Sequence, residues 1–184
     1  MPTPAKTSRE ALVGFALELV EKTGADALTM AAVAEAAGVR GPSLYKHFND
    51  RAALLSAVTV AIMHDLEATI RKQTSGRTGR QRLSSMANAY RHFALSHKHA
   101  YRLMFAADFA DDPAIAEASR FSVAPLFEEL AAAGIPPKRL LAQSRVLVAL
   151  LHGFVSMEIA QAFRLGGDVD SAFEEGLRTL LDGL

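Results

Sequence analysis

The sequence predicts an all-α protein of about nine helices, and three observations support this. Apolar residues recur at intervals of three and four along most of the chain, which is the helical period. Bounded runs in which β-branched or aromatic residues alternate with polar ones, as in strands, are nearly missing. Half of the 184 residues are hydrophobic and 22% are charged, so the chain can bury a sizeable core.

Composition excludes several classes of protein. The chain has no cysteine, which rules out disulfide frameworks, thiolate zinc sites and cysteine nucleophiles. It has no run of 18 apolar residues and no apolar stretch at the N-terminus, so we expect a soluble, cytoplasmic protein without a membrane partner. The formal net charge is zero, but residues 68–107 carry eight basic and no acidic side chains, and residues 108–184 carry a net charge of −6.

The first helix is predicted to begin at a capping box. In this motif Thr7 and Glu10 bond reciprocally to backbone amides of the first turn. Gly24 is expected to end the helix in a left-handed conformation. The apolar face has the i, i+3, i+4, i+7, i+8 pattern and consists of Leu12, Phe15, Ala16, Leu19 and Val20.

Three further helices are expected before residue 75. A short second helix follows Thr29 as its N-cap and ends at a turn containing Gly38. The third covers roughly residues 42–48 and begins with a proline, which suits a first helical turn. Asn49 or Asp50 caps a longer fourth helix. Its apolar face consists of Leu54, Leu55, Val58, Ile62, Leu66 and Ile70.

The segment 75–79, with the residues SGRTG, is a linker. The helices expected beyond it cover approximately residues 80–97, 99–106, 113–133 and 138–165. An internal proline, Pro125, is expected to kink the third of these. The fourth is apolar nearly all round and must therefore be covered on more than one side. A final amphipathic helix follows the residues GGDVD at 166–170.

Residues 29–50 place two short helices on either side of a glycine-containing turn, which is the pattern of a helix-turn-helix. The sequence resembles the N-terminal signature of the tetracycline-repressor (TetR) family. The matching residues are Thr29, Val33, Ala34, Ala37, Gly38, Val39, Leu44, Tyr45, His47, Phe48, Asp50, Arg51, Leu54 and Leu55. AYRLMF at 100–105 and LLHGFVSMEIAQAF at 150–163 are similar to one group of TetR C-terminal domains, which carry an aromatic-or-Leu, His, Gly step.

The resemblance implies a DNA-binding domain at residues 1–60 and an effector-binding and dimerisation domain at 61–184. It also implies that Tyr45 and His47 bond to the DNA backbone and that Thr29 holds a phosphate, with Lys46 and Arg51 adding charge. Base contacts would fall to Arg40, Gly41, Pro42 and Ser43, with Lys46 as a further candidate. Simpler roles remain open, because Tyr45 could only pack, His47 could cap its helix and Arg40 could act as a helix cap.

The most basic segment, residues 71–82, is not assigned to DNA. The fourth helix starts at the DNA edge, and about 20 residues at a rise of 1.5 Å carry Arg71 about 30 Å away from it. We favour a solvated linker here, with ion pairs to the acidic C-terminal third as an alternative.

The C-terminal region has the composition of a helical bundle with a pocket. The resemblance implies that helices after the fourth enclose a small-molecule effector, which we expect to be partly hydrophobic. His152 is the best single candidate, because a buried polar group on an apolar helix needs a partner. The candidate pocket residues, each of which could instead be ordinary core, are Tyr90, Phe93, Met104, Phe105, Phe121, His152 and Met157.

The long apolar helix and the last helix are expected to form a four-helix bundle between two subunits. A homodimer also provides the two reading heads that a near-palindromic operator requires. Gly153 is expected to permit close helix approach. The candidate interface residues are Leu147, Leu151, Phe154, Phe173, Leu177 and Leu180.

The sequence therefore favours a sequence-specific transcriptional regulator, a repressor whose affinity for DNA is controlled by an effector. One alternative is a helical ligand-binding or interaction module without DNA binding, which the neutral net charge favours. The other is an enzyme, but serine hydrolase motifs, P-loops and GxGxxG are absent from the sequence. His97 and His99 are two residues apart and point apart on a helix, so they make a poor metal pair, and no cofactor is expected.

Overall fold

The computed structural model describes residues 8–106 and 111–184. This part of the chain contains nine α-helices and no strand, as predicted, with one 3-10 turn at Ala25–Ala27. The helices are α1 (Arg9–Thr23), α2 (Met30–Ala37), α3 (Gly41–Tyr45), α4 (Arg51–Thr74), α5 (Gly79–Ser96), α6 (Lys98–Met104), α7 (Pro113–Ala132), α8 (Pro137–Ile159) and α9 (Val169–Asp182).

The chain divides into two compact units. The first contains residues up to Asp65 together with His97–Arg120, and the second contains Leu66–Ser96 and Phe121–Leu184. Helices α4 and α7 therefore contribute residues to both units. The boundary at residue 60 that we predict between two functional domains stays a prediction, because packing groups α6 and the start of α7 with the helix-turn-helix.

The N-cap of helix α1 lies one residue after the predicted capping threonine, and the helix begins at Arg9. Ser8 is the N-cap, and its Oγ accepts a hydrogen bond from the backbone N–H of Ala11 at 3.1 Å, while Thr7 lies outside the described residues. Hydrogen bonds from its own backbone amide and from Ser8 lower the pKa of Glu10. Gly24 ends the helix at φ 83° and ψ 163°, a positive φ but not the left-handed helical conformation that we expected.

In the first unit, α1 packs against α2 and α6, and α2 packs against α3. The apolar faces predicted for α1 and α4 supply much of this core, with Leu12, Ala16, Val20, Leu54 and Val58 all buried. The start of α7 is held to α4 because Ser56 Oγ donates a hydrogen bond to Asp112 Oδ2 at 2.5 Å. This bond lowers the pKa of Asp112, which also accepts the backbone N–H of Ala114 and so caps α7.

Residues 75–78 are an exposed, non-helical link between α4 and α5, as predicted for a solvated linker, while Arg71, Arg80 and Arg82 on either side of it pair with the acidic C-terminal third, as the alternative predicts. The distant carboxylates come from α7, α8 and α9, and Arg71 also pairs with Glu67 one turn earlier on α4. Since the partner carboxylates lie 57 and 102 residues from Arg71 and Arg80, spacing within one helix could not reveal them. The pairs are Arg71 with Glu128, Arg80 with Asp182, Arg82 with Glu129, and Arg91 with both Glu158 and Asp170.

Arg91 is the most connected of these cations. Its guanidinium donates to both oxygens of Glu158, at 2.8 and 2.6 Å, and to Asp170 Oδ1 at 2.6 Å. It also lies 4.8 Å from the centre of the Phe173 ring, a cation–π distance. The hydrogen bonds to Glu158 raise the pKa of Arg91 above its usual value, and the cluster joins α5, α8 and α9.

Helix α8 ends earlier than predicted, at Ile159 instead of residue 165. The N–H of Ala162 bonds to the Met157 carbonyl at 2.8 Å, and the N–H of Gln161 bonds to the Glu158 carbonyl at 3.0 Å. These two bonds are the Schellman closure of a helix C-terminus. The closure requires a left-handed residue, and Gln161 has φ 53° although it is not a glycine, so a sequence search for glycine could not locate this end.

Two helices, α4 and α8, are long and apolar enough to cross a membrane, judged by length and composition alone. The most apolar window of α4 is 56% buried inside the protein, as expected of a core helix. The corresponding window of α8 is only 22% buried. Much of an apolar helix is therefore uncovered in a single chain.

Candidate nucleic-acid interface

The turn between α2 and α3 has the backbone that a helix-turn-helix needs. Gly38 adopts the left-handed conformation, with φ 66° and ψ 34°, which glycine tolerates without steric cost. Its N–H bonds to the Glu35 carbonyl at 3.0 Å, and the N–H of Val39 bonds to the Ala34 carbonyl at 2.9 Å. These bonds end α2 and direct the chain into α3.

Helix α3 is shorter than predicted, at five residues, and residues 46 and 47 continue it as a turn. Leu44 and Phe48 are buried and hold this segment in the core of the first unit. Arg9 lies over the Phe48 ring at 5.0 Å and covers its outer side. Because five residues are too few to form a stable helix alone, α3 depends on this packing.

The predicted contact residues lie on the solvent side of the same segment. Tyr45 exposes 56% of its surface, a larger fraction than Phe105 or Phe121, at 46% each. Arg40, Pro42 and Lys46 are exposed, and Gly41, Ser43 and His47 are half-buried. A side chain built on Gly41 would meet no atom within 4 Å, so the fold itself does not require glycine at this position.

Thr29 is the N-cap of α2, as predicted. Its Oγ1 accepts the backbone N–H of Ala32 at 3.1 Å, and the residue is exposed. Since the oxygen is used by the cap, a phosphate here would be held by the hydroxyl proton and by the unpaired amides of the first helical turn.

Arg51 is exposed and makes two hydrogen bonds that its expected role does not include, while its contribution of charge to a DNA contact stays a prediction. Its Nε donates to the Leu28 carbonyl and its Nη2 donates to the Ala25 carbonyl, both at 2.6 Å. These carbonyls belong to the connection between α1 and α2, immediately before Thr29. Arg51 thus ties the start of α4 to the chain that leads into α2. No local pattern in the sequence announces this role, because the acceptors are backbone atoms.

The predicted effector-pocket residues are divided between the two units. Met104 and Phe105 belong to the first unit, and the other five belong to the second. Tyr90 and Phe93 on α5 are buried, whereas Phe105, Phe121 and Met157 are about half exposed. Burial lowers the pKa of His152 on α8, which favours the neutral imidazole at pH 7.

Two open clefts lie on the second unit. One, of about 420 Å³, is lined by Arg80, Ser84, Ser171, Glu174, Glu175, Leu177, Arg178 and Leu181. The other, of about 220 Å³, is lined by Asn88, Arg91, His92, Leu95, Glu158 and Asp170. Neither of these two clefts includes a predicted pocket residue, so the effector site stays a prediction.

The predicted interface residues are mostly unavailable to a partner. Leu147, Leu151, Phe173 and Leu177 are buried in the core of their own unit, and Phe154 and Leu180 are half-buried. The side of α8 that faces solvent instead carries apolar residues at intervals of three and four, several of them small, beside the exposed Leu141. These are Ala142, Val146, Ala149, Gly153 and Met157. The sequence contains this pattern, but the larger apolar residues of α8 and α9 are the stronger signal, and our prediction assigns the interface to them.

We expect Arg51→Lys to lower the free energy of unfolding by about 1 kcal/mol, because an ammonium group cannot reproduce a fork that serves two carbonyls. Chemical denaturation measures this change. Arg40→Lys is the matched control, since Arg40 is exposed and takes no part in the hydrogen bonds that Arg51 makes. Equal stability of the two variants would show that the Arg51 contacts contribute nothing.

Comparison with known proteins agrees with this geometry. Residues 12–58 match the family described as bacterial regulatory proteins, tetR family, and residues 83–180 match the tetracyclin repressor-like C-terminal domain. The uncharacterized HTH-type transcriptional regulator Rv0681 of Mycobacterium tuberculosis is 31% identical over 182 residues, which cover 98% of this chain and 83% of that protein.

Two solved structures extend the similarity to the whole fold. A protein of unknown function from Rhodococcus sp. RHA1 has a TM-score of 0.83 at 29% identity, covering 99% of this chain and 96% of its own. BioQ in complex with its natural double-stranded DNA operator has a TM-score of 0.69 at 26% identity, covering 96% of both chains. The chain therefore belongs to the TetR family of helix-turn-helix transcriptional regulators.

Proposed function

We propose that the protein is a homodimeric repressor that binds a near-palindromic operator and whose DNA affinity is controlled by a small-molecule effector. The observation that carries this proposal is the exposed edge of α3, held by buried residues on its other side in a chain of this family. A cytoplasmic location follows from the need to reach DNA. Since the family consists of regulators, we infer that the chain is not an enzyme.

The exposed edge of α3 offers one group of residues for phosphate contacts and another for base contacts. Tyr45, Lys46 and His47 lie at the end of α3 and suit phosphate contacts, which position a protein on the duplex. Arg40, Pro42 and Ser43 lie at its start, where side chains of a recognition helix reach base edges. The free space at Gly41 would let the backbone approach the groove closely.

Arg51 enters this proposal as a positioning residue. With two of its nitrogens committed to the Ala25 and Leu28 carbonyls, its contribution is to hold the N-terminus of α2, and Thr29 with it, in place. The charge for phosphate binding then comes chiefly from Lys46.

We expect the double variant Tyr45→Phe, Lys46→Ala to weaken binding to every duplex, because it removes groups that bind phosphates and spares those that bind bases. The dependence of log K on log salt should become less steep by about 0.9 for each phosphate that the protein no longer neutralises. Fluorescence anisotropy with an operator selected from a random duplex library measures both effects.

The matched control is Lys72→Ala, another exposed lysine, which lies at the end of α4 outside the proposed edge. This variant should bind DNA as the unchanged protein does. Loss of affinity in Lys72→Ala with none in the double variant would move the DNA site to the basic segment.

A dimer through the solvent-facing side of α8 accounts for the exposure of this apolar helix. Residues 142, 146, 149, 153 and 157 repeat at intervals of three and four, the spacing of helices that pack at shallow angles. Gly153 is exposed inside the helix, and a Cβ at this position would meet no atom within 4 Å, so a neighbouring helix of a second copy would have room to approach there.

Helix α9 also has small residues on the side that faces solvent. Ala172 and Thr179 are exposed, and Gly176 is half-buried with no atom within 4 Å of its would-be Cβ. Small residues on both helices allow four helices to meet closely around a two-fold axis. This arrangement keeps the predicted pair of helices but replaces the interface residues Leu147, Leu151, Phe173 and Leu177.

We expect Gly153→Leu to dissociate the dimer, because the added side chain fills the space where two helices would meet. The protomer should stay folded and gain about 1 kcal/mol, since leucine is the better helix former. Analytical ultracentrifugation and thermal unfolding measure the two effects. The matched control is Gly14→Leu on α1, where the glycine is likewise exposed and unobstructed. A dimer of unchanged affinity in Gly153→Leu would direct the search to another face.

The effector is proposed to bind where aromatic residues of α5 and the histidine of α8 occur together. Helices α5 and α8 pack against each other in the second unit, and they carry Tyr90, Phe93 and His152. The buried rings suit an apolar part of a ligand, and a neutral imidazole can both donate and accept a hydrogen bond.

A thermal-shift screen of aromatic acids, fatty acids and polycyclic compounds tests this site. A ligand present at 100 times its Kd should stabilise the folded state by about 2.7 kcal/mol. The shift should shrink in His152→Gln and persist in His92→Gln, an exposed histidine on α5. An equal shift in both variants would place the ligand elsewhere.

A further inference from the structure

Arg9, the first residue of α1, lies against the end of the α3 segment. Its guanidinium is 5.0 Å from the centre of the Phe48 ring, a cation–π distance. Phe48 directly follows Lys46 and His47, which belong to the exposed edge of α3. Phe48 exposes only 2% of its surface, whereas Arg9 is exposed. A buried ring therefore places a solvent-facing guanidinium from α1 beside residues that are proposed to bind phosphates.

A second observation also places the first turn of α1 beside this edge. The pKa of Glu10 is lowered chiefly by hydrogen bonds from its own backbone amide and from Ser8, and electrostatic interactions with Arg9 and His47 lower it further. Exposed charges act on each other only over short distances in salt solution, so these three side chains lie close together. The hydrogen bonds of Glu10 hold its carboxylate at the start of its own helix.

The hydrogen-bond donors of Arg9 are not used by the part of the chain that the structure describes. No carboxylate or carbonyl of residues 8–106 and 111–184 accepts a hydrogen bond from Arg9, in contrast to Arg51 and Arg91. Residues 1–7, which precede the helix, contain no Asp or Glu. Stacking occupies the flat face of a guanidinium and leaves the N–H groups at its rim available to an acceptor.

We propose that Arg9 binds a phosphate of the operator backbone, with the Phe48 ring as the platform that orients its guanidinium. The proposal rests on the proposed role of the α3 edge and extends the DNA contact to a second helix. A phosphate suits this place because the planar fork of N–H donors can hold two of its oxygens at once. Such a contact positions the protein on the duplex and adds affinity without selecting bases.

The first test compares two substitutions on α1. For each protomer bound, Arg9→Gln should weaken binding to the operator about 10-fold and make the dependence of log K on log salt less steep by about 0.9. The matched control is Lys22→Gln, which removes a positive charge from the last turn of the same helix, about 20 Å away, and should change neither value. Fluorescence anisotropy measures both effects, and thermal unfolding verifies that both variants are folded.

The second test separates a direct contact from a role in holding Phe48. Ethylation of single operator phosphates should block binding of the unchanged protein at one phosphate per half-site that no longer matters to Arg9→Gln. Arg9→Lys should retain the salt dependence of the unchanged protein, because the positive charge remains, and should bind less tightly, because an ammonium group lacks the planar fork.

The outcomes distinguish the Arg9 contact from the DNA site as a whole. Unchanged affinity and salt dependence in Arg9→Gln would overturn the contact and leave the α3 edge standing. Weaker binding by Arg9→Gln with the phosphate interference of the unchanged protein would also overturn it, since Arg9 would then act only through Phe48. An unchanged protein that selects no duplex from the random library would overturn the α3 edge and the Arg9 contact together.

Discussion

The two hydrogen bonds from Arg51 to the Leu28 and Ala25 carbonyls are the interaction on which the position of the proposed DNA edge depends. Helix α3 has five residues and cannot maintain its conformation alone, so its position is set by what surrounds it. Leu44 and Phe48 hold it from the core, and Arg51 joins α4 to the carbonyls just before α2. One side chain thereby connects the start of α4 with the chain that leads into α2, and a planar guanidinium can serve two acceptors at once.

The neutral net charge of the chain does not argue against DNA binding, because part of the positive charge is used in ion pairs within the second unit. Four of the six basic side chains of residues 71–91 are paired with carboxylates on α7, α8 and α9 within the second unit, namely Arg71, Arg80, Arg82 and Arg91. The excess positive charge of this segment is therefore used for internal cohesion. The proposed DNA edge needs only a few donors, repeated in a dimer, so a whole-chain average says little about nucleic-acid binding.

Helix α8 shows how one apolar helix can serve two purposes. Leucines on its inner side belong to the core of its own unit, and small residues on its outer side leave room for another helix. The same division continues past its end, where Phe163 anchors the loop inward and Leu165 faces solvent. In this view the inner side determines the shape of the protomer and the outer side determines what the protomer can bind.

The helical class, the helix-turn-helix and the caps at Thr29 and Gly38 follow from residues at most a few positions apart, and the structure selects Asp50 over Asn49 as the cap of α4. Only the tertiary structure decided which side of α8 is buried, where that helix ends and what Arg51 and Arg91 contact. Their acceptors lie 23 to 79 residues away, and such choices depend on the packing of whole helices. Local sequence patterns specify helices and their caps, whereas contacts between residues far apart in the sequence form only when the helices pack together.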